Sequence, residues 1–153
     1  MTQNSNTFRD YSLHVVQPRP DKAHKMPYAP AVRIEGACDL MFVSGATPSP
    51  LYHDHPHRDD QHVHPHAIED QTRLAMESIK TILDDVGAGW KDVVKISKYL
   101  TDIRDFAGLH RTLHEYFGEW RPASTTLCVN QLSSPGARIE IEVILALPKT
   151  RAV

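Results

Sequence analysis

Six polar side chains near the C-terminus raise the chemical question: Ser124, Thr126 and Cys128 in ASTTLCV, and Arg138, Glu140 and Glu142 in ARIEIEV. Both stretches alternate, so each trio lies on one face of its strand. A glutamate desolvated in a cleft has a raised pKa and can act as general acid or base through a water. Hydroxyls such as those of Ser124 and Thr126 can hydrogen-bond a carbonyl or hydroxyl of a substrate. Cys128 is a nucleophile in principle, but no histidine is visibly paired with it, and a packed, unreactive thiol is the plainer reading.

Histidine forms a second cluster. Residues 46–66 contain His53, His55, His57, His62, His64 and His66, together with Asp54, Asp59 and Asp60. Imidazole and carboxylate suit borderline divalent metals. Pro48, Pro50, Pro56 and Pro65 interrupt the segment, and no helix or strand period fixes the ligand spacing. A solvated loop is therefore preferred, and no metal is expected. Its imidazoles would charge as pH falls through about 6.5. His110 and His114 are four apart, a helical spacing that can place two imidazoles on one metal. No glutamate follows His110 directly, and surface histidines are the plainer reading there as well.

Periodicity marks the helices and strands that carry these groups. Ala75, Ile79, Ile82, Leu83 and Val86 make the buried stripe of a helix over Ala67–Val86, which Gly87 ends. Asp92–Leu100 reads as a strand, with Val94, Ile96 and Lys98 on one face and Val93, Lys95, Ser97 and Tyr99 on the other. A second helix, Asp105–Gly118, buries Phe106, Leu109, Leu113, Tyr116 and Phe117. Upstream, Pro27–Glu35 and Leu40–Ser44 read as a hairpin about a turn at Gly36–Asp39. Residues 1–25 are a polar extension with a short strand at Ser12–Val16, and residues 26–153 form a single domain.

In the last strand Ile139, Ile141, Val143, Leu145 and Leu147 face the helices. In the strand before it Thr125, Leu127 and Val129 are expected to do the same. Ser124, Thr126 and Cys128 would then share the opposite face with Arg138, Glu140 and Glu142. The order β-β-α-β-α-β-β is α+β, with two helices on one face of a mixed sheet. The other face is either solvated or a contact with further subunits that leaves a cleft for a small molecule.

A chain of 153 residues, 41% hydrophobic and 24% charged, fits one soluble domain. Its net charge of -2 gives no reason to hold nucleic acid or an anionic membrane. The longest apolar run, Val143–Leu147, is too short to span a bilayer. Cys38 and Cys128 do not make a disulfide framework, and a cytoplasmic location is expected.

Taken in order, PYAPAV (27–32), LMFVSGATP (40–48), Gln71, ILDDVGAGWKDVVKISKYLTDIRDF (82–106), EYF (115–117), RPAST (121–125) and RIEIEVI (138–144) resemble the YjgF/RidA family. The resemblance runs from about Lys25 to Leu147. It implies a chorismate-mutase-like fold and a homotrimer whose sheets form a central barrel with clefts between subunits. It also implies hydrolysis of reactive enamines and imines to ketones and ammonia, with no metal and no organic cofactor. By position, Tyr28, Ser44, Gly45 and Glu140 match family site residues.

One residue does not match. The active deaminases carry an arginine where Ser124 stands, and a hydroxyl cannot make the bidentate pair that a guanidinium makes with a carboxylate. Arg121 or Arg138 would have to supply that charge. The expected function is thus a deaminase-like hydrolase whose substrate differs from simple 2-imino acids. Its catalytic residue is Glu140, and Tyr28, Ser44, Gly45, Ser124, Thr126, Cys128 and Arg138 bind the substrate. The alternative is a non-catalytic trimer that binds or senses a metabolite.

Overall fold

The computed structural model describes residues 9–53 and 58–149. Asp54, His55 and His57 of the histidine-rich segment lie outside the described residues. Six strands and two helices follow in order: β1 (Tyr11–Val16), β2 (Ala31–Gly36), β3 (Cys38–Ala46), α1 (Ile68–Asp85), β4 (Val93–Leu100), α2 (Phe106–Phe117), β5 (Ala123–Cys128) and β6 (Ile139–Pro148). The fold is α+β with a mixed sheet, and a leading strand precedes the expected order. No helix among the described residues is long and apolar enough to cross a membrane.

Four strands make the main sheet in the order β3-β6-β4-β5. Its pairs are antiparallel except β4–β5, which is parallel. The two final strands are therefore not neighbours; β4 separates them. Both helices pack on one face. Ala75, Met76, Ile79 and Leu83 of α1 and Leu109 and Leu113 of α2 bury against Ile96, Leu100, Ile139, Ile141, Val143 and Leu145. Gly87, at φ +67°, ends the first helix as its position predicts. Val86 and Phe106, expected in the buried stripes, are exposed. Each lies at an end of its helical pattern, beyond the reach of the sheet.

The expected hairpin does not form. β2 pairs with β1 as a separate two-stranded ribbon, while β3 pairs with β6. The ribbon covers one end of the other sheet face, where Tyr11, Val94 and Ala146 pack with Leu13, Val32, Ile34 and Ile144. The Tyr11 hydroxyl donates to the Ala146 carbonyl at 2.6 Å.

A register shift between Val93 and Lys95 carries one strand across the two cores. Val93 packs on the helix side and Val94 on the ribbon side, so Val94 does not share a face with Ile96 as its alternation suggests. A larger correction concerns β5. Ser124 lies beside Ile96 and Thr126 beside Lys98, while Thr125 lies beside Ser97 and Leu127 beside Tyr99. Side chains in register share a face. Ile96 and Lys98 belong to the face of Val143 and Ile141, and Ser97 and Tyr99 to that of Glu142 and Glu140. Ser124, Thr126 and Cys128 are thus on the helix side, and Glu140 and Glu142 on the other.

Candidate functional site

The polar groups divide into two sites. The first surrounds Glu140, at the start of β6. A register irregularity between Val43 and Ala46 turns β3 beside it, and Gly45 lies so close that a Cβ there would collide with the Glu140 carboxylate. A side chain at that position would push the Glu140 carboxylate aside. Thr47, Ser49, His53, His62 and Ser134 complete a cavity of about 130 Å³. Ser49 and Ser134 are hydrogen-bonded through their hydroxyls at 2.7 Å, and the rings of His62 and His64 lie 3.3 Å from the same Ser134 oxygen.

Burial pushes the Glu140 carboxyl above the usual carboxylate range, and the neighbouring Glu142 charge adds to the shift. Glu142 itself accepts from the Tyr99 hydroxyl at 3.0 Å. The two carboxylates therefore differ: Glu142 is tied to Tyr99, and Glu140 faces the cavity. Among the described residues no group of three His, Cys, Asp or Glu side chains could hold a metal ion.

The second site lies between the β4–β5 edge and α2. It is a cavity of about 450 Å³ whose walls include Ile96, Leu113, Phe117 and Trp120; its polar groups include Lys98, His110 and Ser124, with Arg111, His114 and Arg121 also lining it. Lys98 is 2% exposed. Its Nζ donates to Ser124 Oγ at 2.6 Å. Burial, reinforced by the charge of Lys95, pushes the Lys98 amine down to about 8. His110 is also held below the ordinary histidine range, by burial and then by the Lys98 charge. Its Nε2 is buried with no hydrogen-bond partner among the described residues.

Of the residues expected at the site, Glu140 and Gly45 come together, and Ser44 is exposed beside Gly45. Ser124 belongs to the second cavity, and Thr126 shares its face. Tyr28 lies near that side, in a recess with Trp120 and Arg121. Cys128 is exposed at the end of β5. Arg138 donates to the His66 carbonyl at 2.6 Å and pairs with Asp105 at 3.4 Å. Its guanidinium therefore reaches the helix N-termini rather than the Glu140 cavity, whereas Arg121 lines the Ser124 cavity.

Lys98, His110, His53 and His62 were not among the expected site residues. For Lys98 a signal existed: it falls between Ile96 and Leu100 in the apolar register of β4. The histidines come from a segment whose own pattern specifies no geometry.

Two helices on one face of a mixed sheet, with Glu140 set against a Ser-Gly bulge, define the class of α+β domain to which the chain belongs. Comparison with known proteins narrows that class. The profile of the family described as Endoribonuclease L-PSP matches residues 19–147. A RutC family protein of Pyrococcus abyssi is 35% identical over 118 residues, covering 77% of this chain and 84% of its own. The protein named 3-aminoacrylate deaminase RutC of Acinetobacter baylyi is 35% identical over 115 residues, 75% of this chain and 82% of its own. The crystal structure of a Mycobacterium tuberculosis member of the YjgF family matches with a TM-score of 0.57 at 28% identity, covering 89% of this chain and 100% of that one. The chain belongs to the YjgF/RidA family, whose profile carries the L-PSP description.

Proposed function

We propose that this chain is a deaminase-like hydrolase acting on an enamine, an imine or a related unsaturated carbonyl compound. The observation that carries the reading is Glu140: a partly buried carboxyl with a raised pKa, held against Gly45 in a small polar cavity. The name of the RutC relative, a 3-aminoacrylate deaminase, supports the same reaction class. In its acid form Glu140 gives a proton to the enamine carbon, which leaves an iminium. As carboxylate it takes a proton from the attacking water. The resulting carbinolamine then expels ammonia and leaves a ketone. No metal or organic cofactor enters these steps.

Serine at position 124 supports a substrate other than a simple 2-imino acid, since the hydroxyl lacks the charge and fork of a guanidinium. Ser124 and Glu140 lie on opposite faces of one sheet. A site that uses both draws them from two copies, which fits a homotrimer with clefts between subunits. A reducing cytoplasmic setting fits the two free cysteines.

The test is ketone and ammonia release from a panel of enamines and imines generated in situ. Glu140→Gln is expected to lower turnover by roughly a hundredfold or more while ligand binding persists. Equal binding with no turnover in either form would sink the hydrolase and favour a metabolite-binding trimer.

A further inference from the structure

The cavity between α2 and the β4–β5 edge holds a primary amine under unusual conditions. Lys98 is almost wholly buried. Among the described residues no carboxylate pairs with it, and no Asp or Glu lines the cavity. The charged or titratable groups that do line it are His110, Arg111, His114 and Arg121, and Lys95 acts on the amine from the same strand. A buried cation among cations is costly unless it is neutralised or gains an anion. Among the described residues the only hydrogen bond made by Nζ is to the Ser124 hydroxyl. That hydroxyl orients the amine without fixing its charge as a carboxylate would. A lysine desolvated in an apolar pocket beside another cation is the environment that turns an ammonium into an amine nucleophile.

We infer that this cavity captures a small aldehyde or ketone with an apolar body as an imine on Lys98 Nζ. The amine lone pair forms a bond to the carbonyl carbon, and the carbonyl π pair moves to oxygen. His110, whose buried Nε2 has no hydrogen-bond partner among the described residues, takes a proton from nitrogen and returns it to oxygen. The hydroxyl then takes a second proton, drawn from solvent through the His110 imidazole, and leaves as water while the nitrogen lone pair forms the C=N bond. The net step is amine plus carbonyl plus one proton giving a protonated imine and water, with no oxidant or reductant. Ile96, Leu113, Phe117 and Trp120 receive the apolar body, and a cavity of about 450 Å³ has room for it. The reduced pKa of Lys98, about 8, means that a useful fraction of the amine is neutral near pH 8. The inference does not rest on Glu140, which lies on the other face of the sheet.

The experiment incubates the full chain with benzaldehyde and sodium cyanoborohydride. It measures adducts by intact mass and locates them by peptide mapping. The expected result is one benzyl group, on Lys98, formed at least about tenfold faster than on the exposed Lys22 or Lys91, with a rate that rises with pH through about 8. His110→Ala is expected to slow this labelling by about tenfold or more, in the range of a general acid–base contribution, without moving it to another residue. Lys98→Arg is expected to remove the fast adduct. Labelling spread over the surface lysines, with Lys98 no faster than the rest in the unmodified protein, would overturn the inference whatever the variants do. Because the readout is mass at Lys98, it is independent of deaminase turnover.

Discussion

On β4, Lys98 occupies a place between Ile96 and Leu100 where the fold otherwise buries apolar side chains. Folding lowers the pKa of its amine from 10.5 to about 8. The unfolded chain therefore binds the proton more tightly than the folded one. The resulting penalty is complete below pH about 8, where both states are charged, and is relieved as pH rises toward 10.5. Lys98→Met is thus expected to stabilise the protein at pH 7, by about 1–3 kcal/mol from a shift of this size. The gain should shrink between pH 8 and 10. Urea denaturation at the two pH values measures it, and a Lys98→Met protein less stable than the parent at pH 7 would show that the amine is better accommodated than its burial implies. The position of Lys98 was readable from apolar neighbours two residues away on either side. The lack of an Asp or Glu among the described residues that line its cavity was not, because that depends on which side chains α2 brings over the strand. Glu140 was legible for a related reason: the IEIEV alternation fixes its face, although only the turn at Gly45 reveals the close contact.

The elements themselves follow sequence period closely where two faces differ in polarity. Helices α1 and α2 and strand β6 all have one strongly apolar side, and their positions match expectation to within a few residues. β5 does not have such a side. Its residues are Ala, Ser, Thr, Thr, Leu and Cys, and Leu127 is 52% exposed. With so weak an alternation the face is decided by register against β4, and a one-residue change in reading inverts every side chain. The bulge at Val93–Lys95 was equally hidden, since Val93 and Val94 are the same residue type serving two different cores. The supposed hairpin failed because β2 and β3 are close in sequence but find other partners. What holds the β1–β2 ribbon to the sheet includes the hydrogen bond from Tyr11 to the Ala146 carbonyl. Tyr11→Phe keeps the ring and removes that bond. It should cost about 1–2 kcal/mol and speed hydrogen exchange of the β1 amides selectively. Unchanged stability together with unchanged exchange would mean that apolar packing alone holds the ribbon.

For the molecule as a whole, the decisive asymmetry is between the two faces of the main sheet. The helices close one face. On the other, the ribbon reaches only the end near Ala146 and Val94. The remainder presents Leu40, Phe42 and Leu127 to solvent, with Phe42 71% exposed, beside Glu140 and Glu142. Apolar side chains grouped in this way are costly to leave wet and are natural contacts for other copies. Phe42 is the most sensitive probe because it is the largest of the three and belongs to no core of the single chain. Burying it should contribute roughly 2–3 kcal/mol per copy, and a charge in its place adds a desolvation cost to every repeated contact. The unmodified protein is expected to sediment at three times the monomer mass, and Phe42→Glu as a monomer with unchanged far-ultraviolet dichroism. If a site assembled from Glu140 of one copy and Ser124 of another does the chemistry, the monomer should also lose turnover although both residues are intact. A Phe42→Glu protein that stays trimeric would remove this face from the interface. A monomer that keeps full activity would place the whole reaction within one chain and leave the Ser124 cavity free for separate chemistry.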